Sequence, residues 1–284
     1  MKTSVRSGVM IGLAWAGVVF APAPGQATHE GFGVYEDWSA ANVRGDRWRG
    51  GEAANGQEVV RKVAGAPDAR QLTMRLRREG DTDSDTGRNT SGNLINLTQA
   101  AAVDQIKADL VVTNVAVSQC AANPTSSKAR LVVTMTSFND GASTGSTDRT
   151  GDYIALVQAF RRSDSADPAG TLKVEAQVSR CLNASCSDEE QIVNPVDLGI
   201  SLTVGSPFTL KLIWDAPNNR FLAGVSSIAN VPLPYAASDS NPAIRPAASI
   251  QVSNSSANCT AGPTEADLTA AVRRVRTNVS AVVP

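Results

Sequence analysis

Three consecutive stretches decide the fold: GDYIALVQAFRR (151–162), TLKVEAQVSRC (171–181) and FTLKLIWDAPNNRFLAGV (208–225). In the second, Leu172, Val174, Ala176 and Val178 alternate with Lys173, Glu175, Gln177 and Ser179. In the third, Phe208, Leu210, Leu212 and Trp214 fall on every second position. A period of two places one set of side chains on a core and the other on the opposite face of a sheet. The same alternation marks strands at 71–79, where Leu72, Met74 and Leu76 face one way, and at 128–138. EVVRKVA (58–64) is a further strand. The stretch 105–118 is apolar on both sides and suits a central strand covered on both faces.

Outside these segments the chain reads as turns and loops. Residues 80–93 (GDTDSDTGRNTSGN) and 139–152 are polar loops, and Glu189 and Glu190 fall in another. VPLPYAASDSNPAIRP (231–246) carries four prolines, which keeps it out of a sheet centre. AASIQVSN (247–254) and AAVRRVRTNV (270–279) read as closing strands. TEADLTAAVRRV offers a competing short helix capped by Thr264, with Glu265 and Asp267 in its first turn. The total is about twelve strands with almost no helix. That is an all-β chain forming a two-sheet antiparallel jelly-roll sandwich.

The N-terminus has the form of a secretory signal. Lys2 and Arg6 precede an apolar run from Gly8 to Phe20, too short for a comfortable bilayer crossing, and Gly25-Gln26-Ala27 offers a cleavage site. The expected organisation is a signal peptide over residues 1–27 and one β-sandwich domain over 28–284, secreted or periplasmic, with an uncleaved anchor as the alternative. After the leader no segment is apolar enough to span a membrane. An outer-membrane barrel needs aromatic girdles, and thirteen Phe, Trp and Tyr residues with a C-terminus reading SAVVP do not supply them.

The formal charge of −1 argues against a nucleic-acid partner. Two local arginine groups, Arg75/Arg77/Arg78 and Arg273/Arg274/Arg276, read as solvated strand faces. Four cysteines suit an oxidising compartment. A tight-loop bridge Cys181–Cys186 and a long-range bridge Cys120–Cys259 are the preferred pairing of three possible ones. Zinc is disfavoured by the single His29 and by the lack of a CxxC spacing.

The order of the strands resembles the concanavalin A-like lectin/glucanase superfamily, which includes laminin G-like modules. The early pair Trp38 and Trp48, the passage NLINLTQAAAVDQIKADLVV (93–112) and the hairpin LKLIWDAPNNRFLAGV (210–225) carry the resemblance. It implies two curved sheets, and sugar or rim-calcium binding as in many members. The glucanase pattern of alternating carboxylates is not matched: Lys173-x-Glu175-x-Gln177 offers one carboxylate where two are needed. No serine-hydrolase motif is present either. The expectation is therefore a non-catalytic binding module, with a glycan or other cell-surface ligand as partner. A glycan-active hydrolase or lyase of the same fold, or a structural surface protein, is the alternative.

Candidate ligand contacts are the polar row Lys173, Glu175 and Gln177, and the two freest rings, Tyr35 and Tyr235, which could stack on a sugar. Trp38, Trp48 and Trp214 read as core. No cofactor is implied; calcium is the one optional ion. Asp81, Asp83 and Asp85 alternate in a loop ending at Gly87, as hard oxygen ligands would. Against an EF-hand, the glycine comes one position late and position twelve is Gly92. Asp152, after Gly151 and near Asp140 and Asp148, is a second candidate.

Overall fold

A computed structural model describes residues 31–53, 58–66, 69–237 and 241–279; the expected signal peptide and His29 lie outside them. The described residues form fifteen strands. They are β1 (Gly33–Glu36), β2 (Trp48–Ala53), β3 (Glu58–Ala64), β4 (Gln71–Glu79), β5 (Arg88–Leu97), β6 (Gln105–Val117), β7 (Lys128–Asn139) and β8 (Asp152–Arg162). They continue as β9 (Thr171–Cys181), β10 (Glu189–Thr203), β11 (Pro207–Asp215), β12 (Arg220–Val225), β13 (Val231–Pro234), β14 (Asn241–Ala257) and β15 (Glu265–Thr277). One sheet runs β13-β12-β11-β6-β15-β4-β3, with β1 also on β15; the other runs β10-β9-β8-β7-β14-β5-β2. Every strand pair is antiparallel. This is the two-sheet jelly-roll sandwich that the alternation predicts.

The inward rows meet in one core. Leu172, Val174, Ala176 and Val178 of β9 are buried there, with Leu72, Met74 and Leu76 of β4 and Phe208, Leu210 and Leu212 of β11. A fully buried leucine contributes about 2 kcal/mol by apolar area alone, and truncating one to alanine costs about 3 kcal/mol once the cavity is included. A stack of rings closes one end. Phe138 lies 4.6 Å from Tyr153, 4.7 Å from Tyr235 and 5.5 Å from Trp214, centroid to centroid.

Several elements differ from the sequence reading. Residues 88–93 belong to β5, so the polar loop is shorter; inward Asn93 is buried because its amide donates to Val60 O and Arg75 O. β6 puts Ile106, Ala108, Leu110 and Val112 in the core, and its other face is covered in part: Gln105 and Val111 are buried there, while Lys107 and Asp109 are half-buried. Glu189 and Glu190 lie in β10, an edge strand whose pairing with β9 shifts register three times. That irregularity erases the period-two signal. β14 starts at Asn241, and its prolines fit because Pro242 and Pro246 flank a gap in the pairing with β7. Pairing with β5 begins only at Ser249. The helix alternative fails: β15 begins at Glu265 and sits between β4 and β6.

Both bridges form as the preferred pairing has them. Cys120–Cys259 spans 139 residues of sequence, and Cys181–Cys186 closes a loop of five.

Candidate functional site

The outward face of the seven-stranded sheet collects polar side chains on its middle strands. β9 contributes Lys173, Glu175 and Gln177; β8 contributes Gln158, Phe160 and Arg162; β7 contributes Lys128 and Arg130; β14 contributes Ser249, Gln251, Ser253 and Ser255. The opposite parity on each of these strands is core. The face is thus fixed by register: Glu175 stands beside Gln158, Gln158 beside Val132, and Arg130 beside both Phe160 and Ser253.

Glu175 is the acid at the middle of this face. It accepts from Lys128 Nζ at 3.0 Å and from Gln158 Nε2 at 2.5 Å. Gln158 in turn accepts from Arg130 at 3.2 Å, and the same guanidinium donates to Ser253 Oγ at 3.2 Å. Burial pushes the Lys128 ammonium below its usual range, and Glu175 offsets part of that. Burial and then the charge of Arg88 act in the same direction on Arg130, which stays charged. Lys128 also lies 4.1 Å above the Phe160 ring, a cation–π contact.

Two clefts open on this face. The larger, about 640 Å³, is lined by Arg49, Asn96, Thr98, Arg149, Ser185 and Arg245 together with apolar Leu97, Pro246 and four alanines. The Cys181–Cys186 loop forms part of its wall, because Arg149 N donates to Ala184 O and Gly151 N to Cys181 O. The smaller, about 210 Å³, lies toward Ser253 and Ser255 and is lined by Arg88, Thr90, Ser126, Lys128, Arg130 and Arg162.

The sequence candidates separate in the structure. Lys173, Glu175 and Gln177 share the open face, with Lys173 held by Ser201 Oγ at 3.3 Å and Asp167 at 3.5 Å. The two tyrosines do not serve as exposed stacking platforms. Tyr35 is 1% exposed, packs edge-on against Trp48 and donates its hydroxyl to Arg47 O. Tyr235 is buried in the ring stack, where its oxygen accepts from Trp214 Nε1 at 2.8 Å. Each tyrosine hydroxyl found a partner inside, which lets the ring be buried.

The aspartates also disperse. Asp81 and Asp83 are exposed, whereas the Asp85 carboxylate accepts from Thr260 N at 2.8 Å and Thr260 Oγ1 at 2.7 Å. Those two bonds hold the Asp85 carboxyl below its usual range. Among the described residues, three potential metal-donor atoms come within reach of one another only where Asp85 approaches Cys120 and Cys259. Those two sulfurs form a disulfide and are not thiolate ligands. Asp140 pairs with Arg180 at 2.6 Å, and Asp148 accepts from Thr144 and Thr150. Asp152 is fully buried, where it orients Arg149 at 3.2 Å and accepts from Ile244 N. Its place is under the wall of the larger cleft, where it sets the direction of Arg149.

Sequence reading passed over Arg49, Arg88, Lys128, Arg130, Arg149, Arg162 and Arg245. One signal for two of them was present: Lys128 and Arg130 are two apart on an alternating strand and so share a face. The others come together only through pairing across several strands.

No protein-family model and no curated protein matches the chain. Among solved structures, the chain is similar to a Bacteroides ovatus mixed linkage glucan PUL GH16 protein in complex with a G4G4G3G product. The identity is 12%, the match covers 85% of this chain and 98% of that one, and the TM-score is 0.47. It is also similar to LamAcat from Zobellia galactanivorans (10% identity, 83% and 92% covered, TM-score 0.40). A third is the catalytic domain of an endo-1,3-β-glucanase (laminarinase) from Thermotoga petrophila (7% identity, 87% and 98% covered, TM-score 0.41). These are likenesses in overall shape alone. The sandwich itself rests on the strand order above.

Proposed function

We propose that the protein recognises a glycan chain laid across the outward face of the seven-stranded sheet. The observation that carries this reading is one polar sheet face with a cleft at either end. Between the clefts β14 presents Gln251, with Ser249 and Ser253 recessed on either side of it, and β9 presents Gln177 and Lys173. Hydroxyls, amides and guanidinium groups are the donors and acceptors that sugar hydroxyls pair with. The two disulfides and the signal-like N-terminus fit an encounter outside the cytoplasm. No helix among the described residues is long and apolar enough to cross a membrane.

A glycan-active enzyme of the same fold is the second reading. Glu175, central on the face and hydrogen-bonded to a lysine, is the residue that favours it. Hydrolysis with paired carboxylates needs a second acid about 5–9.5 Å away across the bound sugar.

The test is a glycan array with the full chain, with and without EDTA, followed by mass spectrometry of each bound oligosaccharide after incubation. Binding supports recognition, and silence on the array overturns it. New fragments that disappear in Glu175→Gln establish the enzyme reading; intact oligosaccharide leaves recognition alone. Binding lost in EDTA would point to a calcium requirement.

A further inference from the structure

The smaller cleft is cationic beyond what its own carboxylates offset. Arg88, Lys128, Arg130 and Arg162 converge on it, and Glu175 is the acid that reaches into the group, through Lys128. Arg162 has a second acid, Asp164, in a half-exposed pair facing water. Arg88 and Arg130 are in no ion pair among the described residues; Arg130 is held by neutral Gln158 and Ser253. Like charges brought together on a partly desolvated surface repel, and an anion placed among them removes that cost. The remaining lining is hydroxyl: Thr90, Ser126, Ser253 and Ser255. Guanidinium forks and hydroxyl donors are the groups that bind a carboxylate or sulfate with charge-assisted hydrogen bonds.

We propose that this cleft is an anion subsite, built from Arg88, Lys128, Arg130 and Arg162, that takes a carboxylate or sulfate carried on a sugar. The ligand of the sheet face is then an acidic glycan. This rests on the glycan reading above and narrows it to a charge class. The far end of the face supports it independently. Arg49 and Arg245, beside an Arg149 already paired with Asp152, line the larger cleft, which begins six residues along β14 from Ser253, roughly 20 Å away. A chain with charge repeated along its length meets cations at both ends.

Nucleic acid, the other common polyanion, is disfavoured by the same face. Single-stranded nucleic acid is held by stacking bases on open rings. Among the described residues the ring on this face is Phe160, which is buried and roofed by Lys128.

The experiment is calorimetric titration of the full chain with four probes: an alginate hexasaccharide, a sulfated dextran oligosaccharide, neutral laminarihexaose and a fifteen-residue oligothymidylate. Each is run at low and moderate NaCl. The test variant is Arg88→Gln/Arg162→Gln, at the rim, and the control is Arg273→Gln/Arg274→Gln, exposed on the other sheet. One or both acidic sugars should bind about ten-fold or more tighter than laminarihexaose, weaken as salt rises, and lose about ten-fold in the rim variant but not in the control. The tighter of the two identifies carboxylate or sulfate as the group taken. Laminarihexaose binding as tightly as the acidic sugars overturns the anion subsite and leaves the glycan reading standing. No sugar binding at all overturns both. Acidic-sugar affinity unchanged in the rim variant, or oligothymidylate binding equal to the acidic sugars, also overturns the subsite.

Discussion

The two sheets turn similar charged residues outward and arrange them differently. On the eight-stranded sheet Arg75, Arg77 and Arg276 each have an acid, whereas Arg273 and Arg274 of β15 stand exposed with no ion pair among the described residues. Arg75 holds Asp267 through two bonds of 3.1 and 2.9 Å and reaches Glu58 at 2.6 Å. Arg77 is shared by Glu79 and Glu265, both at 2.9 Å, and Arg276 meets Asp109 at 3.0 Å. On the seven-stranded sheet four cations line one cleft, and Glu175 is the acid placed among them. A cluster that neutralises itself, such as Arg75 with Asp267 and Glu58, needs no partner. A face that leaves cations uncompensated is less stable alone and gains when an anion arrives. The contrast locates the site more sharply than the overall charge does, since −1 for the chain averages the two faces together.

Breaking the neutralised face should give the largest effect. Asp267→Ala removes a buried carboxylate bonded to Arg75 and, at 3.3 Å, to the Asn114 amide. Loss of a buried pair's partner costs about 3–5 kcal/mol, and the partial exposure of Arg75 brings the expected loss to about 2 kcal/mol. Urea unfolding measures it. A loss below a few tenths would mean that this face is not held together by its pairs.

Glu175→Gln tests the other face and should cost less, about 1 kcal/mol, because a neutral amide oxygen at this position can still accept from buried Gln158 while Lys128 keeps partial access to water. The same variant should bind acidic oligosaccharides several-fold more tightly, since it removes the anion already present. Tighter binding from a destabilised protein is the signature of an internal competitor. Weaker binding would make Glu175 a ligand contact instead.

Neutralising arginines one at a time sharpens the contrast through its sign. Arg75→Gln should lower stability. Arg88→Gln, with no carboxylate partner among the described residues, should leave it unchanged or raise it by up to about 0.5 kcal/mol. Thermal melts at low ionic strength read the difference, and equal losses from both would erase the distinction between the faces.

How much of this could be read from the chain depends on how local each cause is. β9 was legible because Leu172 to Val178 alternate without interruption. β10 was not, because it is an edge strand with three register shifts and little buried surface. β5 hid behind its polar residues, since Asn93 points inward and finds two backbone carbonyls on the opposite sheet. The cysteine pairing was legible from spacing. The placement of the loop aspartates was not legible for a non-local reason: Asp85 turns to Thr260, 175 residues away in sequence, while Asp81 and Asp83 stay exposed. The cation cluster is of the same non-local kind. Arg88, Arg130 and Arg162 lie on three strands, and only the pairing of β5, β14, β7 and β8 brings them to one cleft.

The smallest effects concern acid, at the rim of the seven-stranded sheet, where two aspartates four residues apart respond to pH with opposite sign. The Thr150 hydroxyl and N–H and the Thr144 hydroxyl hold the Asp148 carboxyl down at about 2. Its stabilising contribution is complete above the ordinary carboxylate pKa near 3.8 and is lost as pH falls through about 2. Burial pushes Asp152 the other way, opposed by Arg149. A carboxyl raised in the folded state binds its proton more tightly there than in the unfolded chain, so acidification through its raised pKa adds stability, an addition complete below 3.8. Asp148→Asn should therefore flatten the acid limb between pH 4 and 2, whereas Asp152→Asn should remove a gain that begins at higher pH. Unfolding curves from pH 6 to pH 2 separate the two. If both variants moved the curve in the same direction, Asp152 would be held by its ion pair with Arg149 more strongly than it is penalised by burial. The wall of the larger cleft would then be a neutralised pair, like those on the other sheet, and the contrast between the faces would narrow to the Arg88–Arg130 end.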